Sequence, residues 1–338
     1  MSKFLHRNCA EGLVKGLEIW YNKRVARHTA QEVIMRIPSF QKTRMLTPTA
    51  RERLTGHPAV VILCFLLVMH LSEMGKALFD RGGWAYLHSL LTTHRAFLLL
   101  LDLFATIVTV GFVLAYCLIL EKRSLTSLGF SKRGWAAEYG WGLLGGVVLF
   151  SLPVLLCLTT GTLTLSPAAA SPSWEMLLLF FVAFLIQGLS EELLCRSYLM
   201  VSLSRSLPLW LCVVLNALIF SLLHLANTHL TAIALINIFL FGIFASLLTL
   251  RRGSIWMVAG LHSMWNFAQA NLFGLPVSGI KGLPSPLIAE RIDGGWKNLI
   301  RGGAFGLEGG LAVTVVLTVA CGVVLLVPTK KNEISGDH

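Results

Sequence analysis

Eight stretches of this chain are apolar for long enough to decide what it can fold into: about 58–72, 96–120, 139–160, 174–195, 208–226, 230–250, 254–272 and 307–327. A helix needs roughly 20 apolar residues to cross the ~30 Å hydrocarbon core of a bilayer, and most of these runs qualify. The first, "PAVVILCFLLVMHL", is short and must lean on the following "SEMGKALF" to reach full length. Charge agrees with this reading. Charged residues are 13% of the 338 here, against about 25% in soluble domains. The expected fold class is therefore all-α: a polytopic membrane protein of about eight transmembrane helices.

Lysine and arginine set the orientation. Residues 1–57 carry eleven of them, and the loop "EKRSLTSLGFSKRGWA" carries four more. Arg205, Arg251, Arg252 and the tail "PTKKNEISGDH" fall on the same side, so both termini are expected in the cytoplasm. The loop "GTLTLSPAAASPS" (161–173), expected outside, has no charge. Segments 73–95 and 273–306 fit less well, with three and four basic residues among acidic ones. The organisation read from this is a basic N-terminal segment at 1–57, a multi-pass membrane domain at 58–328 and a short cytoplasmic tail at 329–338. Residues 9–36 could form a basic interfacial helix with Leu13, Leu17 and Trp20 on one face, or a poorly ordered tail. The segment is not a signal peptide, because the first apolar run starts 57 residues in. A pI near 9.6 calls for no nucleic acid. The excess charge lies on one face, where anionic lipids would meet it. The seven cysteines have no metal or redox spacing and read as small buried hydrophobes.

Four polar clusters break the apolar background. "GLSEELLCRSYLM" places Glu191 and Glu192 at the end of an apolar run, with Arg196 after them. A charge within a spanning helix costs at least ~2.5–3.5 kcal/mol on insertion scales, so its default reading is functional. Glu192 and Arg196, four apart, share a helical face; Glu191 is turned by about 100° from Glu192. Glu192 can thus be neutralised by Arg196 while Glu191 points elsewhere. The bland alternative is a solvated helix end with an ordinary salt bridge. His224 has Phe220 four residues before it. Alone, such a histidine is more often structural. His262 and Asn266 are also four apart and share a stripe, which a helix–helix hydrogen bond would equally explain. Glu308, in the glycine-rich "GLEGG", is explained by close packing or a loop cap. His70, in another apolar run, lacks a partner at helical spacing and is expected away from the rest.

Combined, a glutamate, two histidines and an asparagine on three helices are the equipment for amide hydrolysis by activated water. Glu191 could take the proton, and His262 and Asn266 could hold the oxyanion. Glu191, His224 and His262 could also hold zinc with a water in the fourth position, or the site could work without metal. A proton-coupled transporter using the same Glu/His cluster, and a non-enzymatic scaffold or immunity protein, are the competing classes. The transporter reading predicts inverted repeats, which are not found.

E-E-x-x-x-R at 191–196, F-x-x-x-H at 220–224 and H-x-x-x-N at 262–266 resemble the three motifs of the CPBP (ABI) family, the CAAX prenyl proteases and their bacteriocin-processing relatives. "SLTSLGFSKRG" at 124–134 and "GLEGG" at 306–310 are also similar to family flanks, so the resemblance spans about 124–327. It implies an eight-helix intramembrane endopeptidase with Glu191, Glu192, Arg196, His224, His262 and Asn266 as its catalytic set. It does not fix the substrate; for a bacterial source, a peptide or membrane-protein substrate and an inner-membrane location are expected. One geometric difficulty stands. Were both helices straight and full-length, Glu191 and His224 would differ in depth by about 15 Å or more.

Overall fold

The computed structural model describes residues 45–46, 57–79, 95–169, 172–292 and 294–327. The basic segment 9–36 and the tail 329–338 lie outside the described residues. All eight apolar runs contain helix. Helix α1 is Pro58–Phe79, so the first run does extend through "SEMGKALF". Helix α2 comprises Arg95–Ala105, Ile107–Ala115 and a π-turn, Tyr116–Leu120. Helix α3 is Trp135–Thr159. Helix α4 runs from Trp174 to Leu203, with a wide π-turn, Leu193–Met200, in its second half. Helices α5 (Leu209–Leu222), α6 (Ala232–Arg252) and α7 (Trp256–Phe267, continued by the π-turn Ala268–Leu272) follow. A short α8 (Gly295–Arg301) precedes α9 (Leu311–Leu326). Strands β1 (Leu163–Pro167) and β2 (Leu287–Arg291) form an antiparallel pair, with Leu165 opposite Ala289.

Five of these helices are long and apolar enough to cross a bilayer by length and composition: α1, the Ala96–Leu120 part of α2, α3, α4 and α6. Exposed large side chains such as Leu63, Leu67, Leu78, Ile119 and Val319 cover the outside. In water that surface would be a liability; in lipid it is the expected solvent face. Three exposed tryptophans stand at helix ends, Trp135 and Trp210 at one end of the bundle and Trp174 at the other, as in an interfacial aromatic belt.

Two features position the polar residues. The first is the close approach of α4 to α7. A Cβ on Gly188 would lie 2.7 Å from the Ser263 backbone nitrogen, so only glycine lets the helices touch beside His262. On the other flank of α7, a Cβ on Gly260 would lie 3.1 Å from the Leu143 nitrogen of α3. The second is an offset in helix length. Helix α4 runs on through "RSYLMVSL", and α5 has only 14 residues. Counted from their shared Ser204–Pro208 turn, Glu191 stands about 18 Å and His224 about 22 Å along the bundle at 1.5 Å per residue. The depth difficulty disappears.

Candidate active site

Glu191, His224, His262 and Asn266 line one cavity of about 560 Å³ among α1, α2, α4, α5, α6, α7 and α9. Glu192 and Arg196 do not line it. They sit behind it, both fully buried. His70 is also absent from its walls and is exposed on α1.

The two neighbouring glutamates have separate environments. Glu192 Oε1 accepts from Arg196 at 3.1 Å and from His262 Nδ1 at 2.7 Å. The Arg196 guanidinium also stacks over the Phe220 ring, 4.3 Å from its centroid. Phe220, the first residue of the second motif, is therefore a packing partner of the buried cation. Glu191 turns into the cavity. Its Oε1 accepts from Gln187 Nε2 at 2.5 Å. Its Oε2 makes no hydrogen bond and lies 3.7 Å from His262 Nε2. A buried oxygen without a hydrogen bond calls for an explanation.

Hydrogen-bond partners also assign the tautomers. His262 Nδ1 faces the Glu192 carboxylate and so carries a proton, which turns Nε2 toward Glu191. His224 Nδ1 lies 2.8 Å from the Phe220 carbonyl; that acceptor requires a proton on Nδ1 and leaves Nε2 as the ring's acceptor. The Phe241 ring packs edge-on to His262 at 4.9 Å. Asn266 donates to Gln187 Oε1 at 2.9 Å. Asn266, Gln187 and Glu191 thus form one chain of hydrogen bonds across α7 and α4.

Gln187 belongs to none of the four polar clusters of the sequence, although its position four residues before Glu191 puts it on the same face. Glu308, which packing or a loop cap would explain, lines the cavity. It accepts from the Trp265 indole at 3.3 Å and from the backbone nitrogen of Ser278 at 2.8 Å. Asn237 on α6 donates to the Glu308 and Gly310 carbonyls, at 2.7 and 2.9 Å. Nothing near Glu308 in the sequence announces these contacts.

Among the described residues, no group of three His, Cys, Asp or Glu side chains is gathered so that it could hold a metal ion. Glu191, His224 and His262 share a cavity without forming a ready ligand cage; each histidine commits only its Nδ1, to a carboxylate or a backbone carbonyl.

The family model of the type II CAAX prenyl endopeptidases, Rce1-like, matches residues 172–268. That stretch holds all three motifs and stops short of the proposed flanks at 124–134 and 306–310. No curated protein matches the chain significantly. The match supports the resemblance drawn from the motifs. Over its core the chain is similar to CAAX-protease-like intramembrane endopeptidases, a family of membrane-embedded peptide hydrolases, and its apolar helices are those of an integral membrane protein.

Proposed function

We propose that the protein is an intramembrane endopeptidase in which Glu191 activates water against a peptide bond. The observation that carries this reading is Glu191 Oε2, which makes no hydrogen bond and is held at the wall of a cavity that His224, His262 and Asn266 also line. In this mechanism Glu191 takes one proton from water as its oxygen bonds to the peptide carbon. The second hydrogen of the Asn266 amide meets the developing oxyanion, as does the Nε2–H of His262 when the ring, set between Glu191 and Glu192, carries a proton on both nitrogens. Collapse of that intermediate breaks the C–N bond, and the Glu191 carboxyl returns its proton to the departing amine. His224, with Nε2 as acceptor, helps to orient the water. Gln187 fixes Glu191 Oε1 so that Oε2 is the oxygen that reacts. Glu192 and Arg196 act through His262 and are positioning residues. The substrate is a peptide or membrane-protein segment, anionic lipids meet the basic face, and the setting is a bacterial inner membrane.

The test is Glu191→Gln, assayed as turnover per folded molecule in liposomes against a fluorogenic peptide library. Gln keeps the shape but cannot take the proton. General-base help alone is worth about 10²–10⁴-fold, and turnover should fall by at least that much. Unchanged turnover would remove Glu191 as the base. A wild-type chain that cuts no peptide in the library would favour the scaffold reading.

A further inference from the structure

The cavity is closed at one end of the bundle and open at the other. Its floor is Leu194 and Cys195. Below that floor every residue of α4 from 193 to 203 is buried. The packing there is sealed by polar bonds as well as by apolar side chains. Arg123, 3% exposed, donates to the Ser197 carbonyl at 2.8 Å and to Ser202 Oγ at 3.4 Å. Ser197 Oγ donates to the Leu128 carbonyl at 2.6 Å. Tyr198 packs on Phe65 and Tyr116. Arg205 donates to the carbonyls of Leu46 and Met45, at 2.9 and 3.3 Å.

The exposed wall residues are Glu73, Asp102 and Ile280. Glu73 lies about 22 Å along α1 from Pro58, and Asp102 about 27 Å from Leu120 on α2, at 1.5 Å per residue. Ile280 lies in the loop between α7 and β2. These three stand at the end that carries the uncharged loop 161–169 and the β-pair. The sealed end carries Lys122, Arg123, Lys132, Arg133, Arg205, Arg251 and Arg252, and the segment 1–57 that leads into Pro58 adds eleven more lysines and arginines, against three and four in segments 73–95 and 273–306 at the open end. An excess of lysine and arginine in short loops marks the cytoplasmic face. The opening therefore faces away from the cytoplasm.

We infer that substrate reaches Glu191 from the extracytoplasmic side. The substrate class is a polypeptide segment exported across the membrane or standing in its outer half, admitted between α1, α2 and the 274–283 loop. The walls it meets are mainly apolar (Phe184, Leu223, Phe241, Leu283), with the ion pair of Lys76 and Glu73, 2.6 Å apart, at the rim. An apolar segment with a polar flank would fit that surface. This inference rests on the proteolytic reading for the word substrate, but the direction of access does not.

The experiment uses the full chain in bacterial cells, with Ile280→Cys and Asn227→Cys at the mouth and Lys132→Cys in the basic loop. The parent chain, whose described cysteines are buried or half-buried, gives the blank. A charged, membrane-impermeant maleimide should label the two mouth variants in intact cells, and Lys132→Cys only after permeabilisation. The reverse pattern overturns the inference, as does labelling of the mouth variants only after permeabilisation. Labelling requires no turnover, so the result stands even if no peptide is cut. A second arm adds impermeant fluorogenic peptides to right-side-out vesicles. Cleavage from outside supports the inference. Cleavage only after the same peptides are loaded inside overturns it. If detergent-solubilised protein cuts none of them, the proteolytic reading fails and the labelling alone decides access.

Discussion

The two halves of the helical bundle treat their charges in opposite ways. In the half around Tyr198, polar groups are spent on holding segments together: Arg123 bonds to four oxygens of Ser127, Ser197 and Ser202. In the half around Glu191, polar side chains border an open space, and one carboxylate oxygen is left without a hydrogen bond. Glu192 and Arg196 lie at the boundary between the two. The comparison teaches that adjacency in sequence does not make adjacency in role. A turn of about 100° between successive residues sends Glu191 to the cavity and Glu192 to the packed half.

The boundary should give the largest effect. Glu192→Gln leaves Arg196 charged and fully buried without its carboxylate, and frees His262 Nδ1. Breaking a buried pair commonly costs ~3–5 kcal/mol. The variant should show a sharply lowered folded yield and melting temperature in detergent, whereas Glu191→Gln should melt near wild type. Equal melting losses for the two variants would erase the distinction between the halves.

Asn266→Ala comes next. It removes a donor from the cavity and from Gln187 Oε1 while leaving the apolar packing of α7. Loss of one oxyanion donor costs roughly 10²–10³-fold in kcat. The reading predicts that fall in kcat with little change in melting temperature. A change confined to KM would move Asn266 from transition-state stabilisation to substrate binding.

Glu308→Ala probes the upper wall. Ser278 has a left-handed backbone, φ +48°, unusual for a residue with a side chain. The Glu308 carboxylate holds it through the backbone nitrogen and through Oγ, at 2.8 and 3.1 Å. Hydrogen bonds to a charged group are each worth about 1.5–3 kcal/mol. Releasing the loop should raise KM several-fold more than it lowers kcat. A fall in kcat alone, with KM unchanged, would instead make Glu308 part of the chemistry.

The distribution of these roles explains what the sequence could disclose. Span positions follow from apolar run length, and the Glu192–Arg196 pair follows from a spacing of four within one helix; the bond of that carboxylate to His262, 70 residues away, does not. Gln187 was within reach of the same rule. The Glu308–Ser278 contact was not, because it joins residues 30 apart through loops with no periodicity. The π-turn in α4 and the shortness of α5 were equally hidden. The continuation of α4 to Leu203 and the 14-residue length of α5 are what bring Glu191 and His224 to similar depth.

The smallest expected effect lies in the packed half, at Glu121, just beyond the apolar span of α2. Its side chain is 3% exposed, and neither carboxylate oxygen makes a hydrogen bond. Arg123 Nη1, at 3.6 Å, is its ion-pair partner. Burial pushes the Glu121 carboxyl above its ordinary value, and the pull of Arg123 only partly opposes this. A carboxyl raised in the folded state binds its proton more tightly there than in the unfolded chain. Its contribution to stability is therefore full below the ordinary carboxylate value and is lost as pH rises through the raised one. Arg123 keeps its serine and carbonyl partners when Glu121 is replaced, so no cation is orphaned. Glu121→Gln should accordingly leave the melting temperature at neutral pH unchanged or slightly raised. Toward acidic pH the gain over wild type should shrink. This is opposite in sign to Glu192→Gln, although both remove a buried glutamate beside an arginine. A melting loss at neutral pH as large as that of Glu192→Gln would show that the Glu121–Arg123 pair, and not the Arg123 bonds to Ser127, Ser197 and Ser202, closes this end of the bundle.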